Sequence, residues 1–155
     1  MFHRTLRRGG LLLIVVGAAL LAGCAGQTTA SVSSALYSLA PEGSLPDFLA
    51  DAAPRVRDAY RFAIANPHAL DTVPCYCGCG NMGHTSNLSC YIKEVDKAGK
   101  VVFDNHADGC GICVDITQDV MRLMADGRSP KEIRAYIDST YSPFGPPTDT
   151  ELPAG

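Results

Sequence analysis

The stretch CVDITQDVMRLMADGRSPKEIRAYIDSTY, residues 113–141, decides the fold class. Ile116, Val120, Leu123 and Met124 recur at helical spacing and share one face. This pattern predicts a helix over 113–126, closed by Gly127 as a left-handed cap residue. Ser129-Pro130-Lys131-Glu132 then opens a second helix. Ser129 can cap it, Pro130 fits the first helical position, and Glu132 completes a capping box. Ile133, Tyr136, Ile137 and Tyr141 supply the apolar face of that helix. Pro143, Gly145, Pro146 and Pro147 end it, and 143–155 reads as a loose C-terminal tail.

Upstream, residues 54–66 carry a third helical pattern. Val56, Tyr60, Ala63 and Ile64 fall on one side, and Arg55, Arg57, Asp58 and Arg61 mostly on the other. Pro54 suits the first turn, and Asn66-Pro67 stops the helix, leaving His68 as a capping or exposed residue. Residues 73–90 show little periodicity and read as a loop. Tyr91-Ile92 and Val101-Val102-Phe103 flank Ala98-Gly99-Lys100, which allows either a short β-hairpin or two helical turns. The expected fold is therefore mostly α. It is a small helical domain over 45–142 with an irregular cysteine-rich loop insert.

The N-terminus has a different character. Leu11 to Leu21 is apolar except for Gly17, and Arg4, Arg7 and Arg8 precede it. Eleven residues are too few to span a bilayer, which takes about 20. Residues 1–23 read as a secretory signal peptide. Leu21-Ala22-Gly23-Cys24 resembles the lipobox of bacterial lipoproteins. That resemblance implies cleavage before Cys24 and a lipid on its sulfur, so that the chain sits on the outer face of a bacterial membrane. Residues 24–44, rich in small and polar types, read as a flexible tether. Cleavage would leave 10 basic and 16 acidic residues. That balance argues against a nucleic-acid partner. No phosphate-binding glycine loop and no nucleophile with an evident base is present, so the chain does not read as a hydrolase.

Cysteine is the unusual quantity. Cys75-x-Cys77-x-Cys79 is followed by His84, Cys90, His106 and Cys110-x-x-Cys113. Three chemistries compete for these eight residues. Thiolate and imidazole favour Zn²⁺, Cu(I) or iron–sulfur over hard cations, and eight ligands could fill two tetrahedral sites or one bridged cluster. Sulfurs on one zinc lie about 3.8 Å apart, given a Zn–S bond of about 2.3 Å. Alternate residues of a flat strand are about 6.5 Å apart. The first three thiols therefore converge only if the backbone curls, which Gly78 and Gly80 permit. Disulfides are the second chemistry: thiols outside the cytoplasm tend to oxidise, and six cysteines pair evenly. Against them, Cys-x-Cys pairs close strained rings. The third is dithiol redox chemistry at Cys110 and Cys113, where a helix N-terminus would lower a thiol pKa. A thioredoxin-like βαβ pattern is missing around that pair. The metal reading is favoured, with Zn or Cu(I) held by Cys75, Cys77, Cys79, His84, Cys90, His106, Cys110 and Cys113. Asp104, Asp108 and Asp115 flank the second half, where one could orient His106 from behind. Met82 reads as a gap-filling residue.

Pro74-Cys75-Tyr76-Cys77-Gly78-Cys79 matches, letter for letter, the motif of the PCYCGC-motif bacterial lipoproteins. The resemblance extends through Gly83-His84, Cys90, His106 and Cys110–Cys113 to the closing helices, covering roughly 45–141. It implies a surface location and a metal role, and no reaction. Residues 113–145 are also similar to the helical unit of cytochrome c maturation thiol-reductases, which pair a Cys-x-x-Cys with a three-helix bundle. The cysteine-rich first half departs from that pattern.

Overall fold

The three helices expected from spacing form as α1 (Pro54–Ala65), α3 (Gly111–Ala125) and α4 (Pro130–Tyr141), and a short unanticipated α2 (Pro67–Asp71) follows the Asn66-Pro67 stop. The computed structural model describes residues 37–154. The expected signal peptide, Cys24 and the expected tether as far as residue 36 lie outside the described residues. Among those described, no helix is long and apolar enough to cross a membrane.

The capping box at the start of α4 forms as expected. Ser129 Oγ accepts from the Glu132 backbone N–H, and the Ser129 N–H donates to the Glu132 carboxylate. Gly127 ends the preceding turn with φ +73°. Between the helices lies one antiparallel hairpin, β1 (Ile92–Val95) and β2 (Val101–Phe103), with Ile92 opposite Phe103 and Val95 opposite Val101. Asp96 decides for a hairpin over two helical turns. Its carboxylate accepts from the Ala98 and Lys100 N–H groups at 2.8 Å, and Gly99 takes φ +81°. An acidic side chain that closes its own turn, followed by a left-handed glycine, is a reversal that favours paired strands.

α1 and α3 pack together, and α4 lies against α3. Tyr60, Phe62, Ile116, Val120 and Ile137 are fully buried between them. Tyr60 packs edge-on against Tyr91, and its hydroxyl donates to the Asp104 carbonyl at 2.8 Å. Two face assignments change. Phe62, outside the stripe drawn from periodicity, is fully buried, while Ile64 is only half-buried. The reason is a second layer on α1: the Tyr37 ring packs edge-on against Phe62 at 5.3 Å. Tyr136, assigned to the apolar face of α4, is exposed, with the Arg122 guanidinium 5.3 Å over its ring.

Both ends assigned as flexible are tied down where they are described. Residues 37–44, the last part of the expected tether, lie along α1. Ala40 exchanges hydrogen bonds with Arg61, Ser38 accepts from Asn66, and Glu42 pairs with Arg57 and Arg61. Composition alone hides this, because Tyr37, Leu39 and Glu42 are scattered among small residues. The expected loose tail returns over the cysteine motif. Thr148 is buried, its N–H donates to the Cys75 carbonyl, and its hydroxyl accepts from the Cys75 N–H, both at 2.9 Å. Gly145 makes this return possible, because a Cβ there would come within 2.9 Å of the Tyr76 carbonyl oxygen. Phe62→Ala should cost about 3–5 kcal/mol in denaturant unfolding, as expected for a fully buried ring. Ile64→Ala should cost clearly less, and equal losses would contradict this assignment of the core.

Candidate metal centre

The motif enters the core as extended chain and then curls. Gly78 adopts φ +86° and Gly83 φ +91°, bracketing a 3₁₀ turn over Cys79–Met82. A left-handed residue at each end is what turns Cys79 back toward Cys75, and glycine adopts that conformation without strain. Gly80 contributes differently: it lies beneath Thr148, whose methyl would touch a Cβ placed there at 3.9 Å. A second 3₁₀ turn, Leu88–Cys90, delivers Cys90 immediately before β1. A third, His106–Asp108, leads into Cys110, which sits at the N-cap of α3, and Cys113 lies in the first turn of that helix.

All six thiols of the described residues are free. Their shortest separations are 3.4–3.7 Å. Those exceed the 2.05 Å of a disulfide and approach the sulfur spacing around one tetrahedral ion. The ligand atoms fall into two groups, each placed to hold a metal ion. Cys77, His106, Cys110 and Cys113 form one, with all four atoms within 4.8 Å of one another. Cys75, Cys79 and Cys90 form the other on the same criterion. His84 stands beside this second group, its Nδ1 3.5 Å from Cys90 Sγ. Cys75 joins the two, since its sulfur lies 3.4 Å from both Cys77 and Cys113. His106 Nε2 lies 3.3 Å from Cys77 Sγ, and the two imidazoles meet edge to face at 5.2 Å. All eight residues singled out in the sequence therefore converge.

Groups behind the ligands fix their positions. Asp104 is buried; its Oδ1 accepts from the His106 N–H at 2.8 Å, and its Oδ2 stands 3.7 Å from His84 Nε2. The carboxylate thus backs the ring of His84 rather than that of His106, leaving Nδ1 of His84 toward Cys90. At 3.7 Å the carboxylate faces the His84 ring as a nearby negative charge and not as a hydrogen-bond acceptor. On the α3 side, the Cys113 carbonyl accepts from Tyr91 Oη at 2.9 Å and from Asn87 Nδ2 at 3.3 Å. Thr117 closes the network by bonding Tyr91 and Asn87. Asn87 and Thr148 were not singled out in the sequence. A lone asparagine in a polar loop and a threonine in a proline-rich tail carry no local signal. Met82 does not fill a gap: it is exposed at the tip of the glycine-bracketed turn.

Without a bound cation the cluster shares its protons unevenly. Contact with the Cys113 thiol at 3.4 Å, and the nearby Cys90 thiol, hold the Cys75 thiol down at about 2, against its burial. The nearby Cys90 thiol, together with His106 Nε2 at 3.3 Å, holds Cys77 down at about 5 against its burial. Cys90 and Cys113 are pushed up by the neighbouring thiols and by their own burial. Burial raises Cys110, the reverse of the depression expected for a reactive helix-terminal thiol.

The family described as "protein of unknown function with PCYCGC motif" matches residues 13–153. No curated protein and no solved structure matches the chain. The reductase-like reading of residues 113–145 therefore gains no counterpart.

Exposure ranks the thiols, since Cys77 and Cys110 are half-buried and Cys75, Cys79, Cys90 and Cys113 buried. Brief alkylation of native protein, mapped by mass spectrometry, should label Cys77 and Cys110 first. Early labelling of Cys79 or Cys90 would contradict the packing.

Proposed function

The chain belongs to the PCYCGC-motif family, and from that premise we propose that it is a lipid-anchored extracytoplasmic protein that binds thiophilic metal ions through its six cysteines and two histidines. The observation that carries this reading is the convergence of seven of these residues into two adjoining groups, with His84 against Cys90 of the second. A disulfide framework needs pairs of sulfurs in contact two at a time. Here Cys75 has two sulfur neighbours, and an imidazole stands against each group. Dithiol exchange needs an accessible, acidic pair, whereas Cys113 is fully buried among other sulfurs.

The first group is Cys₃His, a ligand set typical of four-coordinate zinc, and the second becomes Cys₃His if His84 turns in beside Cys90. Charge supports zinc ahead of copper(I). Three thiolates and a neutral imidazole leave one net negative charge around Zn²⁺ and two around Cu⁺, and uncompensated charge is costly in a largely buried site. Binding requires deprotonated ligands, so the loaded protein holds fewer protons than the unloaded one. Acidification should therefore release the metal. Ligand closure would also contribute to folding, because the ligands converge only in the folded chain.

The test is elemental analysis of the mature domain purified without added metal, with a thiol count before and after a chelator. About two equivalents of zinc are expected, with thiols protected until the chelator acts. Cys79→Ser should lower the bound metal. A metal-free protein with no free thiols would reject the reading. Copper at similar stoichiometry would keep the site and change its ion. The anchor has its own test, in that Cys24→Ala should move the protein from the membrane to the soluble fraction. Unchanged membrane association would reject lipidation at Cys24.

A further inference from the structure

The two ligand groups differ in how they meet solvent. Cys75, Cys79 and Cys90 are all buried, and the side chain of His84 is 10% exposed. The Thr148 segment covers this group on one side, through its paired hydrogen bonds to Cys75. In the other group Cys77, His106 and Cys110 are half-buried, and only Cys113 is buried. Around Cys110 the surface is open: Gly109 and Gly111 are exposed, and a Cβ on either would touch nothing within 4 Å. Cys110 is therefore half-buried between two exposed residues without side chains, where little stands in the way of another donor atom.

We propose, resting on the metal-binding reading above, that the two groups have different tasks: the buried group keeps a resident ion, and the half-exposed group exchanges its ion with a thiol-bearing donor or acceptor. Exchange is a ligand substitution with no change of oxidation state. An incoming thiol loses its proton and forms a metal–sulfur bond as the bond to Cys110 breaks. The freed Cys110 thiolate takes up a proton. Repetition at His106, Cys77 and Cys113 completes the transfer, and delivery runs through the same steps in reverse. The emptied group keeps its shape, because Cys77 and Cys113 still rest against Cys75, and the Cys113 carbonyl stays bonded to Tyr91 and Asn87. The resident ion meanwhile holds the 79–90 loop closed.

The experiment loads the full mature chain with zinc alone and follows its release to a chromophoric chelator, with and without a small dithiol as the acceptor. Two phases of one equivalent each are expected. The fast phase should speed up in proportion to dithiol concentration and the slow phase should not. Cys110→Ser should abolish the fast equivalent and leave the slow one, with the circular dichroism spectrum unchanged. His106→Asn provides an independent second variant with the same expected loss. Release of both equivalents in a single phase, or loss of the slow equivalent in either variant, would overturn the division of tasks while leaving metal binding intact. Failure of the chain to take up zinc at all would instead remove the reading on which the division rests.

Discussion

The contact between Cys75 and Cys113, sulfur to sulfur at 3.4 Å, is the constraint on which the rest of the structure depends. It joins the cysteine motif to the first turn of α3, across 38 positions of chain. Everything between must be short-range and turn-rich, and the intervening segment does consist of 3₁₀ turns and one small hairpin. Thiols packed against thiols contribute little by themselves. A structural zinc, by contrast, is worth an apparent 10–16 kcal/mol or so in small folded sites at neutral pH. That exceeds many an entire domain stability, so in the metal-binding reading the cluster and the fold are one problem.

Elements that have no ligand of their own serve the same contact. Tyr91 fixes α3 through the Cys113 carbonyl, and Tyr60 fixes Tyr91 from α1. Burial pushes the Tyr91 phenol well above its ordinary pKa, so it remains a donor at any physiological pH. Asp104 holds the His106 backbone and faces His84, linking the two ligand groups at their edge. The C-terminal segment adds a brace on the Cys75 backbone, where a single extended stretch would otherwise leave an N–H and a carbonyl unpaired in the interior.

Legibility followed the range of the interactions. The helices Gly111–Ala125 and Pro130–Tyr141 were readable to within two residues because capping, glycine termination and the 3.6-residue repeat are local. The hairpin was half readable: its apolar pieces were visible, but the side-chain bonds from Asp96 that select strands over helical turns were not anticipated. Phe62 was missed because its partner, Tyr37, comes from a segment whose composition reads as linker. Thr148 was missed for the same reason at the other end of the chain.

The sequence by itself determined the class of the protein and its ligand inventory. Residue chemistry names thiolate and imidazole, and periodicity names helix, without reference to anything distant. Only the tertiary structure decided how the candidate ligands divide, with Cys77 leaving its motif neighbours to join His106, Cys110 and Cys113. It also decided that Asp104 backs His84 and that one ligand group is buried while the other meets solvent. Grouping and exposure depend on where separate segments meet in space, and no local pattern encodes that.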